Sequence, residues 1–367
     1  MKKVLFVLQG LGNGGVASVV LNYYRSMQDQ IKADFVVMVP PNRTPDSLKD
    51  ELEVKGCNIY HITSFTKNML RCYSELKEII SKGNYDIVHD NDKYFAFLSL
   101  MSARKYKVPI RICHVHNTVA KNEKSLIHRM FITVASKLSV SASNCLMACS
   151  EEAGRSMFGS REFHVLNNAI DVDRYQFDAS LRERLRSDFG FNHRRVLMMV
   201  ARRDELKRFD HAFAVFGELF RMNPDYVFAV VGFQKEECLA RDRAALSALP
   251  KEAQENVMFL GKRIDANALL NMADAFLLTS EHEGFGIAII EAQANGLPCF
   301  ISTGVPQAVK VTDLVHFLPC LGAPSEWVNC IQNESQTKER GAYAQEIRNS
   351  QFDIQTAAHL LGMIYEI

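Results

Sequence analysis

Residues 275–294 read Ala275-Phe276-Leu277-Leu278-Thr279-Ser280-Glu281-His282-Glu283-Gly284-Phe285-Gly286-Ile287-Ala288-Ile289-Ile290-Glu291-Ala292-Gln293-Ala294. The first four are apolar without a break, as in a parallel strand buried on both faces. Thr279 and Ser280 end the run, Gly284 and Gly286 allow a tight turn, and 287–294 reads as a helix. In such a strand, turn and helix the backbone N–H groups of Phe285, Gly286 and Ile287 point out of the helix end, where the dipole favours an anion. Glu283 in the turn would lie beside whatever carries that anion. Glu291, about one turn into the helix, can accept hydrogen bonds from a polyol. A phosphate cradle flanked by two hydroxyl readers suggests a sugar nucleotide. The competing reading is an ordinary βα turn with two solvated glutamates.

The same rhythm runs along the chain. In the first half, 4–8 is an apolar strand, and Gly10, Gly12 and Gly15 open a helix over 16–27 in the G-x-G-x-x-G pattern. A nicotinamide site would need an acid at the end of the second strand. That strand is expected over 35–39 and ends in Pro40-Pro41, with Asp34 at its beginning, so the glycine loop is read as a place for phosphate or close substrate approach. Helices and strands then alternate through 48–55, 58–62, 69–82, 86–89, 95–105 and 110–114, the pattern of a doubly wound parallel sheet. In such sheets ligands gather at the carboxyl ends of the strands. His114-Val115-His116-Asn117 falls at such an end. The two histidines are expected to point apart, which disfavours a metal pair. That leaves one inward His poised at a cleft, or a structural His.

Segment 122–139 is basic and amphipathic, with Lys121, Lys124, His128, Arg129 and Lys137 beside Leu126, Ile127, Met130, Phe131, Ile132 and Val134. It reads either as a helix resting on an anionic membrane surface or as an ordinary sheet-covering helix. After a strand at 144–149, a helix capped by Ser150 and a strand at 163–166, the turn-rich 167–171 marks a domain boundary. The rhythm restarts at the strand 195–200. It is followed by the charged loop 201–208, in which Arg202 and Lys207 could converge on a diphosphate. Further strands over 227–231, 257–260 and 297–301 and helices over 209–221, 327–331 and 355–367 complete the reading; Gly261 and Arg263 follow the strand that ends at Leu260.

The 367 residues exceed one ordinary core, so two domains are expected, 1–170 and 171–354. The net charge of +1 hides an asymmetry: residues 1–170 carry 22 Lys and Arg against 15 Asp and Glu, and the remainder 21 against 27. The basic half is therefore expected to face something anionic. Met1-Lys2-Lys3 is followed by too short an apolar run for a signal peptide, and no run is long enough for a membrane helix. Nine scattered cysteines without a C-x-x-C pair read as buried thiols in a reducing cytosol.

Taken together, Glu283-Gly284-Phe285-Gly286 through Glu291, Arg202 with Lys207, Gly14-Gly15, His116-Asn117 and Asn168-Ala169-Ile170-Asp171 resemble the motifs of the retaining family 4 glycosyltransferases. The stretch from Leu297 through Val315 is similar to members that build bacterial exopolysaccharide, capsule or O-antigen. The resemblance implies the GT-B fold: two Rossmann-like doubly wound parallel-sheet domains facing across a cleft. It implies an acceptor-side first domain, a donor-binding second domain, a hinge at 168–172, and a C-terminal helix 355–367 that packs back on the first domain.

The implied activity is transfer of a sugar from a nucleoside diphosphate, with UDP expected, to a growing glycan or lipid-linked oligosaccharide. No metal or other cofactor and no nucleic acid is implied. A cytoplasmic location is expected, and the basic first half leaves open a peripheral contact with the anionic inner face of the cell membrane. His116, Glu283, Arg202 and Lys207 would take the catalytic roles. Glu291, Phe285, Gly286, Ile287, Gly14, Gly15, Asn117, Gly261 and Arg263 would bind substrate. No nucleophile is assigned, since in this family the acceptor is thought to attack on the leaving-group face. A sugar-nucleotide epimerase of the same fold and a non-catalytic nucleotide-sugar-binding protein are the rivals. The chain departs from the family pattern at Ala201, Arg208 and Ala169, where glycine is usual, and at Gln307-Ala308, where a Glu often stands.

Overall fold

The computed structural model describes residues 1–11, 15–92, 95–116, 126–334 and 338–367. The chain divides into two compact units, one of residues 1–169 with 354–367 and one of residues 170–353.

The first unit holds strands β1 (Lys2–Leu8), β2 (Ile31–Val37), β3 (Ile59–His61), β4 (Ile87–Asp90), β5 (Ile110–Val115), β6 (Cys145–Ala148) and β7 (His164–Val165). Its helices are α1 (Gly15–Met27), α2 (Asp46–Val54), α3 (Met69–Gly83), α4 (Ala96–Lys105), α5 (Leu126–Ala142) and α6 (Glu151–Phe158). The sheet order is β3-β2-β1-β4-β5-β6-β7, and every pairing is parallel. Val4 to Val7 are fully buried, which is why β1 reads as an unbroken apolar run. Helix starts follow their caps: the Asn68 side chain accepts from Arg71 N at 3.0 Å, and Ser150 Oγ from Ala153 N at 3.1 Å.

Asp34 lies inside β2 rather than at the beginning of a strand over 35–39. Its Oδ1 accepts from Asn58 N at 2.9 Å and its Oδ2 from Tyr85 OH at 2.8 Å. The buried carboxylate thus ties β2 to its neighbours, and it stands away from the strand end where a ribose would need it.

The second unit holds β8 (Arg195–Val200), β9 (Tyr226–Val231), β10 (Val257–Gly261), β11 (Ala275–Leu278), β12 (Cys299–Ser302) and β13 (Val315–Leu318). The order is β10-β9-β8-β11-β12-β13, again all parallel. Its helices are α7 (Ala179–Asp188), α8 (Phe209–Met222), α9 (Ala240–Ser247), α10 (Lys251–Glu255), α11 (Ala266–Leu269), α12 (Ile287–Ala294), α13 (Pro324–Gln332) and α14 (Tyr343–Arg348). Phe213 and Phe216 of α8 pack on Phe228 of β9, with ring centroids 6.0 and 5.5 Å apart. The sequence order reverses between β8 and β11, so the crevice at their carboxyl ends is the expected ligand position in this unit.

The last helix, α15 (Ile354–Tyr365), groups with the first unit. Leu361 and Tyr365 are fully buried there, and the Tyr365 hydroxyl lies 2.7 Å from His89 Nδ1.

Candidate active site

The loops after β8 and β11 build one site in the second unit. They are sewn together through the backbone: Glu281 N donates to Leu206 O at 2.7 Å, and Thr279 Oγ1 reaches Lys207 O and Arg208 O at 3.0 Å each. A second seam joins the β11 loop to the loop after β12. There Glu283 N donates to Gly304 O at 3.1 Å, and Ser302 Oγ donates to Ser280 O.

These seams bring Lys207 and Glu283 together. Lys207 Nζ donates to Glu283 Oε1, and Ser280 Oγ donates to the same oxygen at 2.8 Å. The two side chains are only 16% and 11% exposed, so Glu283 is no solvated turn residue. Arg202 is placed differently: its side chain is 71% exposed, and its Nη2 lies 3.4 Å from Asp204 Oδ2. The two cations of the loop therefore differ, Lys207 held on the turn and Arg202 exposed to water.

Arg208 stands where the family pattern has glycine, and its backbone adopts φ 51°, ψ 51°, the left-handed conformation glycine favours. Its side chain holds the turn instead, with Nε and Nη2 donating to Asp210 Oδ1 and Oδ2 at 2.9 and 2.8 Å. Asp204 Oδ1 accepts from Leu206 N at 3.0 Å and shapes the other end of the loop.

Gly286 caps α12 with φ 88°. Among the described residues no protein acceptor takes the N–H groups of Phe285, Gly286 or Ile287. The Phe285 ring is buried against Phe352, centroids 5.1 Å apart, so this residue contributes backbone rather than side chain to the helix mouth. Glu291, in α12, accepts from Tyr175 OH at 2.8 Å. Burial holds its carboxyl above the ordinary range, against the opposing pull of the Tyr175 hydroxyl and Arg174. Gly261 ends β10 with φ 69°, and a Cβ there would fall 2.3 Å from Gln234 Nε2. Arg263 is engaged by Asp265, at 2.7 Å from Nε and 2.6 Å from Nη2.

In the first unit, His89, His114 and His116 form a buried stack. The His114 and His116 rings are 4.0 Å apart, and His89 Nε2 lies 3.0 Å from His114 Nδ1. The expectation that His114, in β5, and His116, just past its end, point apart is corrected: residues two apart along an extended chain share a face. His116 is 4% exposed, with Nε2 2.9 Å from Asn91 Oδ1 and Nδ1 3.0 Å from Asn168 Oδ1. For its imidazole to reach a sugar, one of these amide contacts must open. Among the described residues no group of three or more His, Cys, Asp or Glu side chains is placed to hold a metal ion. Gly15 begins α1, with open space where a Cβ would stand. Gly14 and Asn117 lie outside the described residues, as do Lys121 and Lys124, and the side chains of residues 126–129.

Sequence reading missed Ser280, Tyr175 and Gly304. Ser280 stands three residues before Glu283, and by sequence it marks only the end of a strand. Tyr175 lies 116 positions from its partner, beyond any local pattern.

One seven-stranded and one six-stranded parallel sheet, the second with its site at a strand-order reversal, define an α/β protein built of two Rossmann-like units. The Glycosyltransferase Family 4 profile matches residues 13–174, and the Glycosyl transferases group 1 profile matches residues 182–315. The chain belongs to the family 4 type of glycosyltransferases, and its fold is GT-B.

It is 29% identical over 321 residues to the Bacillus subtilis (strain 168) protein named as glycosyltransferase EpsF, a match covering 84% of this chain and 81% of that one. It is 25% identical over 251 residues to the Escherichia coli UDP-Gal:alpha-D-GlcNAc-diphosphoundecaprenol alpha-1,3-galactosyltransferase, covering 65% of this chain and 63% of that one. The structure of Anabaena HepE in complex with UDP-glucose superposes over the whole of both chains with a TM-score of 0.80 at 18% identity, a likeness of fold.

Proposed function

We propose that this glycosyltransferase moves a hexose-type sugar from a nucleoside diphosphate, with UDP as the carrier, to a growing surface glycan, with retention of anomeric configuration and without a metal ion. The observation that carries this reading is the convergence of Lys207, Glu283 and the N-terminus of α12 at the β8–β11 switch point. As the sugar–phosphate bond breaks, charge develops on the diphosphate. Lys207, Arg202 and the N–H groups of Phe285 to Ile287 are the groups that would neutralise it. Glu283 would accept hydroxyls of the donor sugar, and Glu291 those of the ribose. Gly261 and Arg263 are kept as further donor contacts.

The acceptor is proposed to be lipid-linked and held by the basic first unit, which then works at an anionic membrane surface. One relative's name specifies a diphosphoundecaprenol acceptor, which supports the idea. A second support is a face of α4 and α5. Met130, Val134 and Leu138 are exposed along one side of α5, and Met101 is exposed on α4. Arg104, Lys105, Lys107 and Lys137 are exposed on the same two helices or just beyond them, and Arg104 Nη1 donates to Ser141 O at 3.1 Å, joining their ends. Among the described residues no helix is long and apolar enough to cross a membrane.

The test is turnover of UDP and GDP sugars in EDTA with a lipid-linked acceptor mixture, reading both diphosphate release and the anomeric coupling of the product. Activity in EDTA with the donor's anomeric configuration kept supports the proposal. An absolute need for a divalent ion, or inversion, contradicts it. Sedimentation with vesicles tests the surface: binding indifferent to anionic lipid removes the membrane part.

A further inference from the structure

We infer that Ser280 is a positioning residue for Glu283, setting which carboxylate oxygen is offered to the donor sugar; the inference rests on the donor-site reading above. Ser280 Oγ and Lys207 Nζ both donate to Glu283 Oε1. Among the described residues Oε2 takes no hydrogen bond from the protein. A carboxylate that spends one oxygen on two donors presents the other in a fixed direction, ready to accept.

The serine is itself held in place by its surroundings. It is fully buried, and its carbonyl accepts from Ser302 Oγ at the end of β12. Gly304 closes over the same peptides: a Cβ there would stand 2.3 Å from Glu281 O and 2.6 Å from Ser280 O. The ends of two adjacent strands therefore fix the donor that aims Glu283.

Ser280 and Lys207 are not equivalent supports. A bound diphosphate competes for the Lys207 ammonium, because Nζ can swing between the carboxylate and a phosphate oxygen. The Ser280 hydroxyl has no such competitor and stays on Oε1 while the diphosphate is engaged. Lys207 thus acts on diphosphate and sugar together, and Ser280 on the sugar alone.

The experiment compares full-length wild type, Ser280→Ala and Lys207→Ala by calorimetry in EDTA. The probes are UDP, GDP, UDP-glucose, UDP-galactose, UDP-N-acetylglucosamine and GDP-mannose. In Ser280→Ala, affinity for the free diphosphate is expected to stay within about twofold of wild type, while the advantage of the sugar donor over the free diphosphate shrinks about tenfold, the weight of one hydrogen bond to a charged group. Lys207→Ala is expected to lose both.

Ser280→Thr and Ser280→Val add similar volume and differ in the hydroxyl, so Thr should keep the donor advantage and Val lose it. The inference is overturned if Ser280→Ala keeps the wild-type ratio, if diphosphate and donor affinity fall together, or if Thr and Val fall equally. Diphosphate binding lost in Lys207→Ala but not in Ser280→Ala keeps the donor reading whatever happens to Ser280. Wild-type protein that binds none of the probes removes the donor reading and this inference with it.

Discussion

Lys207 Nζ donates to Glu283 Oε1, so the cation and the carboxylate that a sugar nucleotide would engage separately are held on each other. Both side chains are mostly buried, which limits screening by water and salt. The pair keeps two opposite charges tolerable in a mostly buried crevice, and under the proposed function a diphosphate would have to outcompete the carboxylate for the ammonium.

Breaking that pair from either side should therefore have opposite effects on the diphosphate. Lys207→Ala removes a charge-assisted contact and should weaken UDP or GDP binding by about tenfold or more. Glu283→Gln frees the ammonium, so diphosphate affinity should hold or rise while sugar transfer falls by about a hundredfold, the scale of a lost transition-state contact. Calorimetry with the free diphosphate, set beside donor turnover, separates the two. Equal loss of diphosphate binding in both variants would mean that the pair is only structural.

Arg208 offers a stability test. Its left-handed backbone is costly for any residue with a Cβ, and the Asp210 pair offsets that cost. Arg208→Ala keeps the strain and loses the pair, and Arg208→Gly loses both. Thermal or urea unfolding should find the Gly variant more stable than the Ala variant by about 1 kcal/mol. The reverse order would show that the turn relaxes once the side chain is gone.

Stability should also depend on pH with a maximum near neutrality. Burial, with the charge of His116 adding to it, holds His89 down to about 3, and burial holds His116 down to about 4. Unfolded, each takes up a proton at about 6.5, so their contribution is present above that pH and is lost as pH falls through the folded values. Asp90 acts in the opposite sense. Burial and the neighbouring Asp92 raise it to about 8, so the fold keeps a proton the unfolded chain has released. Its contribution is complete at low pH and is lost as pH rises toward about 8. Melting curves across this range should show both limbs. Asp90→Asn should flatten the alkaline limb and steepen the acid one, where the two effects overlap and oppose each other, and an unchanged alkaline limb would contradict the assignment.

Glu291 adds a pH effect on binding. Its carboxyl is raised by burial and lowered by the Tyr175 hydroxyl at 2.8 Å. Nucleotide affinity should fall as this group is protonated, and Tyr175→Phe should move that fall to higher pH. The measurement is a calorimetric titration with UDP at several pH values. A midpoint that Tyr175→Phe leaves in place would remove Glu291 from the nucleotide site.

What the sequence made legible was local. The strand 275–278 and helix 287–294 appear as read, because a buried strand, a glycine turn and a helix leave their mark within about twenty residues. The strand β13 at Val315–Leu318 and the helix α7 at Ala179–Asp188 were not read. The first is four residues long at a sheet edge, and the second is strongly polar with a single buried side chain, Arg186. The polar helix carries no apolar stripe to announce it. The partners of the site residues were hidden for another reason. Ser280 on Glu283, Tyr175 on Glu291 and the two asparagines on His116 are fixed by how strand ends and loops meet. Arg208 itself takes the left-handed backbone that glycine favours, and the neighbouring Asp210 holds its side chain.

The central claim, a nucleoside diphosphate held by Lys207 and Glu291 without metal, is tested most directly by thermal shift. Wild type, Lys207→Ala and Glu291→Ala are melted in EDTA with UDP, GDP, their sugars and NAD. A ligand bound only to the folded chain raises the midpoint as its concentration exceeds Kd. The expected result is stabilisation by UDP or UDP sugars that both variants lose. Stabilisation by NAD alone, by no nucleotide at all, or by UDP equally in all three proteins would contradict it.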